Sequence, residues 1–161
     1  MSGLKFVQLS KDSGMQVTLS NYGARISSIK FANDSGELSE MLVSPATEQE
    51  LLTDSFYLGA TCGPVCNRIS SAAFVIDDEE YHLSQNDGDN CLHGGDDNIS
   101  TQFWQIIEQT TRKACFKIKL PHLAGGFPGE RELMVTYTLS DSDTLNIEYK
   151  GTTDRTTPLN L

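Results

Sequence analysis

The stretch KACFKIKL, at positions 113–120, places an apolar side chain at every second position. The apolar side chains that share one side of an extended backbone are Ala114, Phe116, Ile118 and Leu120. The opposite side would carry Lys113, Cys115, Lys117 and Lys119. A repeat of two residues is the period of a β-strand and not of an α-helix. The stretch therefore predicts a strand with one face in a hydrophobic core.

The same alternation occurs twice more towards the end of the chain. In ELMVTYTL (132–139), apolar and aromatic residues occupy every second position from Leu133. In TLNIEYK (144–150), Leu145, Ile147 and Tyr149 share one face. Between these stretches lies SDSD (140–143), whose short polar side chains favour turns. The two stretches therefore predict an antiparallel hairpin.

Shorter alternating stretches, separated by polar or glycine-containing breaks, extend this pattern towards the N-terminus. We predict further strands at Phe6 to Leu9, Met15 to Leu19, Ile26 to Phe31, Met41 to Val43, Ala73 to Ile76, Tyr81 to Leu83 and Phe103 to Ile107. One short helix is predicted in PATEQELLTD (45–54), with Pro45 near its start. Many short strands with frequent turns indicate an all-β sandwich or barrel. No repeat or linker divides the chain, so one domain is predicted.

Composition restricts the partners that the chain can have. Its 161 residues include 22 Asp and Glu against 12 Lys and Arg, a formal net charge of −10, with no basic run to neutralise phosphates. Residues 1–20 lack the pattern of a signal peptide, and nothing approaches the roughly 18 consecutive apolar residues of a membrane span. We therefore predict a soluble, cytoplasmic protein that binds neither nucleic acid nor a membrane.

Four cysteines, Cys62, Cys66, Cys91 and Cys115, allow three interpretations. CGPVC (62–66) has three intervening residues where a thioredoxin-type redox pair needs about two, and no helix follows. A zinc site could use three of these thiols with His93, but it lacks the compact paired spacing of structural sites. The favoured interpretation is reduced thiols that serve as small apolar side chains or lie on strand surfaces. No metal site is therefore predicted.

His93 has the most suggestive local sequence, NCLHGG (90–95). Two glycines after the histidine permit the close approach of another chain segment or a ligand. A neutral imidazole both donates and accepts hydrogen bonds, which suits a sugar hydroxyl. A loop histidine is, however, often only solvated, and the local sequence leaves both interpretations open.

Arg68, in CGPVCNRIS (62–70), is a charged residue among small and apolar ones. A charge in such surroundings is costly without a partner or a polar ligand. His82 and His122 have no comparable context, and we predict surface positions for them.

Five segments, in the same order along the chain, resemble the aldose 1-epimerase, or galactose mutarotase, family. The first two are LSNYGARISSIKF (19–31) and YLGATCGPVCNRIS (57–70), which ends in the family's Asn-Arg-Ile. The third, LSQNDGDNCLHGGDDNISTQFW (83–104), contains the Leu-His-Gly-Gly signature, upstream asparagines and a following tryptophan. The last two are GGFPGERELMVTYTL (125–139) and YKGTTDRTTPLNL (149–161).

This resemblance implies both a fold and a reaction. The fold is a large antiparallel β-supersandwich, and the reaction interconverts the α and β anomers of free hexoses such as galactose or glucose, with no metal or organic cofactor. A general base takes the proton of the anomeric hydroxyl while a general acid protonates the ring oxygen, and the opened ring then closes on the other face. By the same resemblance, Asn67 and Arg68 bind sugar hydroxyls, and His93 is a catalytic residue that orients the substrate and assists the transition state.

The resemblance also implies that residues 1–161 are the N-terminal part of a single family domain. The family's principal acid is a later histidine, expected within a few residues after Leu161, and its base is a glutamate nearer the family's C-terminus. We therefore expect a sandwich that lacks strands and has exposed sheet edges, through which the chain could self-associate. The alternation of Thr157, Leu159 and Leu161 likewise suggests a strand that is cut short.

Three hypotheses for function remain open at this stage. The first is an aldose 1-epimerase represented by part of its sequence. The second is a non-catalytic remnant that binds carbohydrate or a partner protein and keeps Asn67, Arg68 and His93. The third is a regulatory β domain based on zinc or thiols.

Overall fold

The computed structural model describes residues 3–11 and 14–161, whose regular structure is mainly β. In the first part of the chain the strands are β1 (Phe6–Ser10), β2 (Gln16–Ser20), β3 (Arg25–Ala32), β4 (Leu38–Glu40), β5 (Arg68–Ile69), β6 (Ala73–Ile76) and β7 (Glu79–His82). The remaining strands are β8 (Cys91–Leu92), β9 (Gln105–Gln109), β10 (Lys113–Leu120), β11 (Arg131–Leu139) and β12 (Leu145–Thr153). The helix α1 spans Glu48–Leu52.

Two four-stranded antiparallel sheets enclose the core. Their strand orders are β1-β2-β3-β4 and β12-β11-β10-β9. Side chains from both sheets form one buried cluster, which includes Val7, Leu9, Val17, Leu19, Phe116, Leu133, Val135 and Tyr137. Two antiparallel sheets that share a core form a sandwich, so the predicted all-β class is confirmed.

The hairpin of β11 and β12 is present, as the sequence predicts, but its strands differ in burial. Every second residue of β11, from Arg131 to Leu139, is buried. Ile147 and Tyr149 of β12 lie opposite the buried Tyr137 and Val135, yet they remain 41% and 44% exposed. β12 ends its sheet and pairs, among the described strands, only with β11. Its apolar face is therefore left partly uncovered.

The prediction of a strand at Met41 to Val43 is wrong, because the strand ends before it. β4 ends at Glu40, whose carboxylate accepts hydrogen bonds from the backbone N–H groups of Ile29 and Leu42. A side chain that takes these backbone donors ends the ladder, and Met41 and Val43 are exposed beyond it.

The strand predicted at Phe103 to Ile107 lies two residues later, at β9. Phe103 instead forms an isolated bridge with Tyr22, and the Trp104 N–H donates to the Asn21 carbonyl at 2.7 Å. Phe103 and Trp104 therefore hydrogen-bond to residues that follow β2 of the first sheet, and the second sheet begins only at Gln105.

The predicted helix is shorter than the stretch 45–54 because a capping box fixes its start. Thr47 accepts a hydrogen bond from the Glu50 N–H, and the Glu50 carboxylate accepts one from the Thr47 N–H. No helix in the described residues is long and apolar enough to cross a membrane.

The last described residues pack back onto the segment that precedes the predicted site. Asn160 forms a parallel bridge with Val65, and its carbonyl accepts a hydrogen bond from the Cys66 N–H. Leu161 packs partly buried against the core. This contact holds residues 64–66 in place next to Asn67 and Arg68.

Candidate functional site

A two-stranded ribbon brings the predicted site residues together. β5 pairs with β8 so that Arg68 lies opposite Leu92 and Ile69 lies opposite Cys91. The His93 N–H donates to the Asn67 carbonyl at 3.0 Å, directly beyond this pairing. Asn67, Arg68 and His93, the three residues that the sequence singles out, are therefore neighbours.

The imidazole of His93 is held in one tautomer by the backbone of Asn67. The Asn67 N–H donates to His93 Nδ1 at 3.0 Å. Because an amide N–H can only donate, Nδ1 must be the unprotonated nitrogen. The proton of the neutral ring is therefore on Nε2, which is left as a hydrogen-bond donor.

The surroundings of His93 favour this neutral form. Partial burial lowers the pKa of His93 because it disfavours the charged ring, and the nearby Arg68 guanidinium lowers the pKa further by repulsion. Protonation of Nδ1 would also break the bond from the Asn67 N–H. At neutral pH the ring is thus an uncharged Nε2–H donor.

The glycines after His93 let the loop pack closely against the rest of the protein. Gly94 has φ of +91°, and a Cβ there would lie 2.5 Å from the Gly63 carbonyl oxygen. Gly95 has φ of +83° and packs against the Ser84 side chain. The close approach expected from these glycines is therefore made by other segments of this chain.

Asn86 fixes the residue that precedes His93. Its side-chain oxygen accepts from the Leu92 N–H at 2.7 Å, and its side-chain nitrogen donates to the Leu92 carbonyl at 3.0 Å. β8 pairs with β5 on one edge, and these two bonds from Asn86 take the place of a neighbouring strand on its other edge. They hold the backbone that carries His93.

Arg68 is exposed and does not lie in the apolar surroundings that its local sequence suggests. Its Nε donates to the Asp87 carboxylate at 2.6 Å, and one terminal nitrogen donates to the Asn67 side-chain oxygen at 3.3 Å. Asp87 therefore orients Arg68, and the remaining donors of the guanidinium are available to a polar ligand.

Tyr57 is the site residue that sequence reasoning missed. Its ring lies against the His93 ring, with centroids 4.8 Å apart and planes at 65°. A tyrosine phenol is ordinarily protonated at neutral pH, and burial raises the pKa of Tyr57 further from that range. Its position immediately before Leu-Gly-Ala, in the segment that ends in Asn-Arg-Ile, is the signal that could have pointed to it.

The cysteines form no comparable centre. All four thiols are free, and Cys91 and Cys115 are buried. Burial is the main cause, and repulsion from the neighbouring Cys66 the second, of a rise in the pKa of Cys62 to about 11. The Cys62 thiol is therefore protonated and poorly nucleophilic at neutral pH. Across residues 3–11 and 14–161, no group of three or more His, Cys, Asp or Glu side chains could hold a metal ion.

The other two histidines are exposed, as predicted, and lie in different settings. His82 lies at the end of β7 with its Nε2 3.7 Å from a Glu80 carboxylate oxygen. His122 Nδ1 accepts a hydrogen bond from the Gly129 N–H at 2.9 Å. Neither is joined to Asn67 or Arg68.

Chemically, the site is a small group of hydrogen-bond donors and acceptors on the protein surface. It offers a neutral imidazole, a guanidinium with free donors and the Asn67 amide, beside one aromatic ring. This set suits an uncharged ligand with many hydroxyl groups. Among the described residues, no carboxylate forms an ion pair with His93.

Comparison with known proteins gives a consistent result. The family model described as aldose 1-epimerase matches residues 5–161. The chain is 32% identical over 157 residues to the aldose 1-epimerase of Escherichia coli strain K12, an alignment that covers 98% of this chain and 45% of that protein. It is 33% identical over 156 residues to the galactose mutarotase of Sus scrofa, covering 96% and 44%.

Solved structures agree with this assignment. The GalM/aldose epimerase homologue from C. elegans superposes with a TM-score of 0.92 at 27% identity, over 98% of this chain and 48% of that one. The galactose 1-epimerase from Lactobacillus acidophilus NCFM, at 23% identity and a TM-score of 0.82, shows the same fold. The predicted mutarotase-like β-sandwich is therefore confirmed. The chain spans about 45% of the length of the curated relatives that it matches. It belongs to the aldose 1-epimerase family.

Proposed function

We propose that this chain supplies part of the active site of an aldose 1-epimerase, which interconverts the α and β anomers of a free hexose such as galactose or glucose. The names of its relatives, aldose 1-epimerase and galactose mutarotase, support this reaction. The observation that carries the proposal is the hydrogen bond from the Asn67 N–H to His93 Nδ1, which leaves a neutral Nε2–H donor.

The three predicted residues divide the binding of the sugar between them. Arg68 and Asn67 are exposed and donate to hydroxyl groups, while Asp87 holds the guanidinium in place. His93 Nε2–H donates to an oxygen of the ring. Because the imidazole is neutral, it binds this oxygen in the ground state without a fixed charge.

The reaction places a more demanding requirement on His93. When the bond between the anomeric carbon and the ring oxygen breaks, negative charge develops on that oxygen, and a donor already aimed at it stabilises the transition state. The base that accepts the anomeric hydroxyl proton and the acid that delivers a proton to the ring oxygen are not among residues 1–161 in the family pattern. We therefore expect the 161-residue chain alone not to accelerate mutarotation.

The test is the decay of optical rotation of fresh α-galactose or α-glucose. A protein that joins residues 1–161 to the remaining length of its relatives is expected to accelerate this decay. His93→Ala should slow it by about 100-fold or more, as the loss of one hydrogen-bond donor to a developing negative charge does. His122→Ala is the matched control and should leave the rate unchanged. Equal rates for the two variants would contradict the assignment of His93.

A sample of the 161-residue chain itself is proposed to self-associate through β12. This strand has nine residues, ends its sheet and exposes Ile147 and Tyr149 on its apolar face. Long unpaired edges with apolar side chains favour pairing with a second chain. Ile147→Lys should shift the sample towards the monomer in light scattering, while Ile107→Lys, at an equally exposed position on the opposite edge strand β9, should not.

We also propose a cytoplasmic location for the protein. The four free thiols support it, because a reducing compartment keeps cysteines unpaired. Fractionation of cells that produce the tagged protein would test this, and recovery of the protein with disulfide-bonded secreted markers would contradict it.

A further inference from the structure

The contact between Tyr57 and His93 joins two segments that are far apart in the sequence. Their rings meet at 65° with centroids 4.8 Å apart, which is within the range of attractive edge-to-face pairs. The hydrogen bond at Nδ1 fixes one point of the imidazole, but the ring can still rotate about its Cβ–Cγ bond. A flat ring packed against it restricts that turn.

Tyr57 holds this position with a backbone conformation that is unfavourable for its residue type. Its φ of +57° lies in the left-handed region, which is sparsely populated by residues with a large side chain. Such a conformation persists only when the surrounding structure imposes it. The surroundings of Tyr57 should therefore contain the groups that impose it.

Asp54 is the first of these groups. One carboxylate oxygen accepts from the Phe56 N–H at 2.9 Å and the other accepts from the Leu58 N–H, also at 2.9 Å. These bonds fix the backbone on both sides of Tyr57. The Ala60 N–H then donates to the Tyr57 carbonyl at 3.1 Å and closes the turn.

Arg25 anchors this turn to the first sheet. Its guanidinium donates to Asp54 at 2.7 Å, and the two side chains are only 1% and 3% exposed. A buried pair of this kind is costly to assemble and adds little net stability, although it strongly specifies geometry in some proteins. Here the geometry that it specifies is the turn carrying Tyr57.

We propose that Tyr57 is a positioning residue for His93, and that its ring, presented by the Arg25–Asp54 pair, keeps Nδ1 on the Asn67 N–H and the Nε2 proton available. This inference deepens the proposed function, because a donor to the sugar ring is effective only when its proton is held in one place. Tyr57 acts through His93 and is not itself assigned a step in the reaction.

His122 provides an internal comparison for this role. Its Nδ1 also accepts a backbone N–H, at 2.9 Å, but within the described residues it makes no aromatic contact. The two histidines thus share the hydrogen bond and differ in the packed ring. They also differ in burial, since His122 is exposed and His93 is half-buried, so the Tyr57 variants are needed to isolate what the packed ring adds.

The experiment uses the 161-residue chain labelled with ¹⁵N and ¹³C in its histidines. Long-range ¹H–¹⁵N spectra identify the protonated nitrogen of each imidazole, a pH titration gives each pKa, and ¹³C relaxation gives ring mobility. The variants are Tyr57→Leu, Tyr57→Phe, which keeps the ring, and Phe56→Leu, which removes an exposed ring from the same turn.

In Tyr57→Leu we expect a detectable Nδ1–H form of His93 and an upward shift of its pKa, because the ring is freer and better hydrated. Tyr57→Phe and Phe56→Leu should match the unaltered chain, and His122 should be unchanged in all four proteins. In the unaltered chain, the His93 ring should be less mobile than the His122 ring, a measurement that does not require any variant to fold.

Unaltered tautomer and pKa of His93 in a folded Tyr57→Leu variant, or equal mobility of the two rings in the unaltered chain, would overturn the inference. None of these measurements uses a sugar. If the protein that joins residues 1–161 to the remaining length of its relatives fails to act on galactose or glucose, the proposed function is refuted, and the positioning role is still decided by the measurements on the histidine rings.

Discussion

The loops that carry His93 and His122 each contain a histidine followed within four residues by two glycines, and they differ in structure. The glycines follow His93 directly, whereas Leu123 and Ala124 separate His122 from its two glycines. Each histidine uses Nδ1 to accept a backbone N–H. The donor to His122 is Gly129, seven residues away in the same turn, whereas the donor to His93 is Asn67, 26 residues away and immediately before β5. The two loops even touch, since a Cβ on Gly125 would lie 3.3 Å from the Gly94 carbonyl oxygen.

The difference teaches that a histidine in a glycine-containing loop does not by itself make a site. His122 is exposed and bonded within its own turn. His93 is half-buried, and distant parts of the chain supply the Asn67 amide, the Arg68 guanidinium and the Tyr57 ring around it. Long-range pairing, which brings these groups to one place, separates the candidate site from an ordinary loop.

The largest effect is expected when a methyl group is added to the glycine after His93. Gly94→Ala would place Cβ 2.5 Å from the Gly63 carbonyl oxygen with φ at +91°, so strain and overpacking together should lower the free energy of unfolding by about 4 kcal/mol. Gly125→Ala, with its nearest atom at 3.3 Å, should cost about 1–2 kcal/mol. Urea denaturation measures both, and equal losses would contradict the tighter packing of the His93 loop.

A smaller effect is expected when the support of Leu92 is removed. Asn86→Ala deletes two hydrogen bonds to a partly buried backbone and should cost about 2 kcal/mol. His122→Ala deletes one bond at an exposed residue and should cost about 1 kcal/mol or less. Chemical denaturation followed by circular dichroism would compare them. An Asn86→Ala variant as stable as His122→Ala would show that Asn86 does not hold the His93 loop.

Removal of the charge on Asp87 should weaken ligand binding while changing the stability of the fold only slightly. Asp87→Asn weakens the pair with Arg68, and because the side chains of Arg68 and Asp87 are 53% and 34% exposed, water screens the pair and the expected loss of stability is less than about 1 kcal/mol. The guanidinium would no longer be held beside Asn67, so affinity for the proposed sugar ligand should fall. Asp141→Asn, which breaks the exposed pair with Arg112, is the control. Sugar binding followed by NMR titration should change only in Asp87→Asn.

The smallest effect on stability is expected from pH. Because the pKa of folded His93 is lowered, the unfolded chain binds a proton more readily than the folded chain as the pH falls below the unfolded value of about 6.5. The free energy of unfolding should therefore decrease from there towards the folded pKa, and the contribution is fully present above pH 6.5. His93→Gln should remove this part of the pH dependence. A dependence identical in the variant would show that His93 is not its source.

The local sequence predicted β10 and β11 of the second sheet well. The alternation in residues 113–120 and 132–139 matches β10 and β11, because both strands face a core along their whole length. The alternation gave wrong strand bounds where the backbone makes hydrogen bonds with a side chain or with the other sheet. Glu40 ends β4 before the apolar Met41, and the contacts of Phe103 and Trp104 with the first sheet delay β9.

The sequence predicted which residues form strands better than it predicted which of their side chains are buried. Cys115 lies among the lysines of its strand in the sequence, yet it is buried and accepts a hydrogen bond from Thr136. The apolar face of β12 alternates as clearly as that of β11 but remains exposed. Alternation reports the period of a strand, whereas its burial depends on what lies over it.

The amino-acid sequence by itself determined the all-β class, the family resemblance and the candidates Asn67, Arg68 and His93, because periodicity and short motifs are local properties. Only the tertiary structure decided how these residues work together. The tautomer of His93, the orientation of Arg68 by Asp87 and the placement of Tyr57 by the buried Arg25–Asp54 pair depend on hydrogen bonds and contacts between residues 19 to 36 positions apart. The physical reason is that such bonds form only after the sheets have paired, and no local pattern specifies which distant donor will meet a given acceptor.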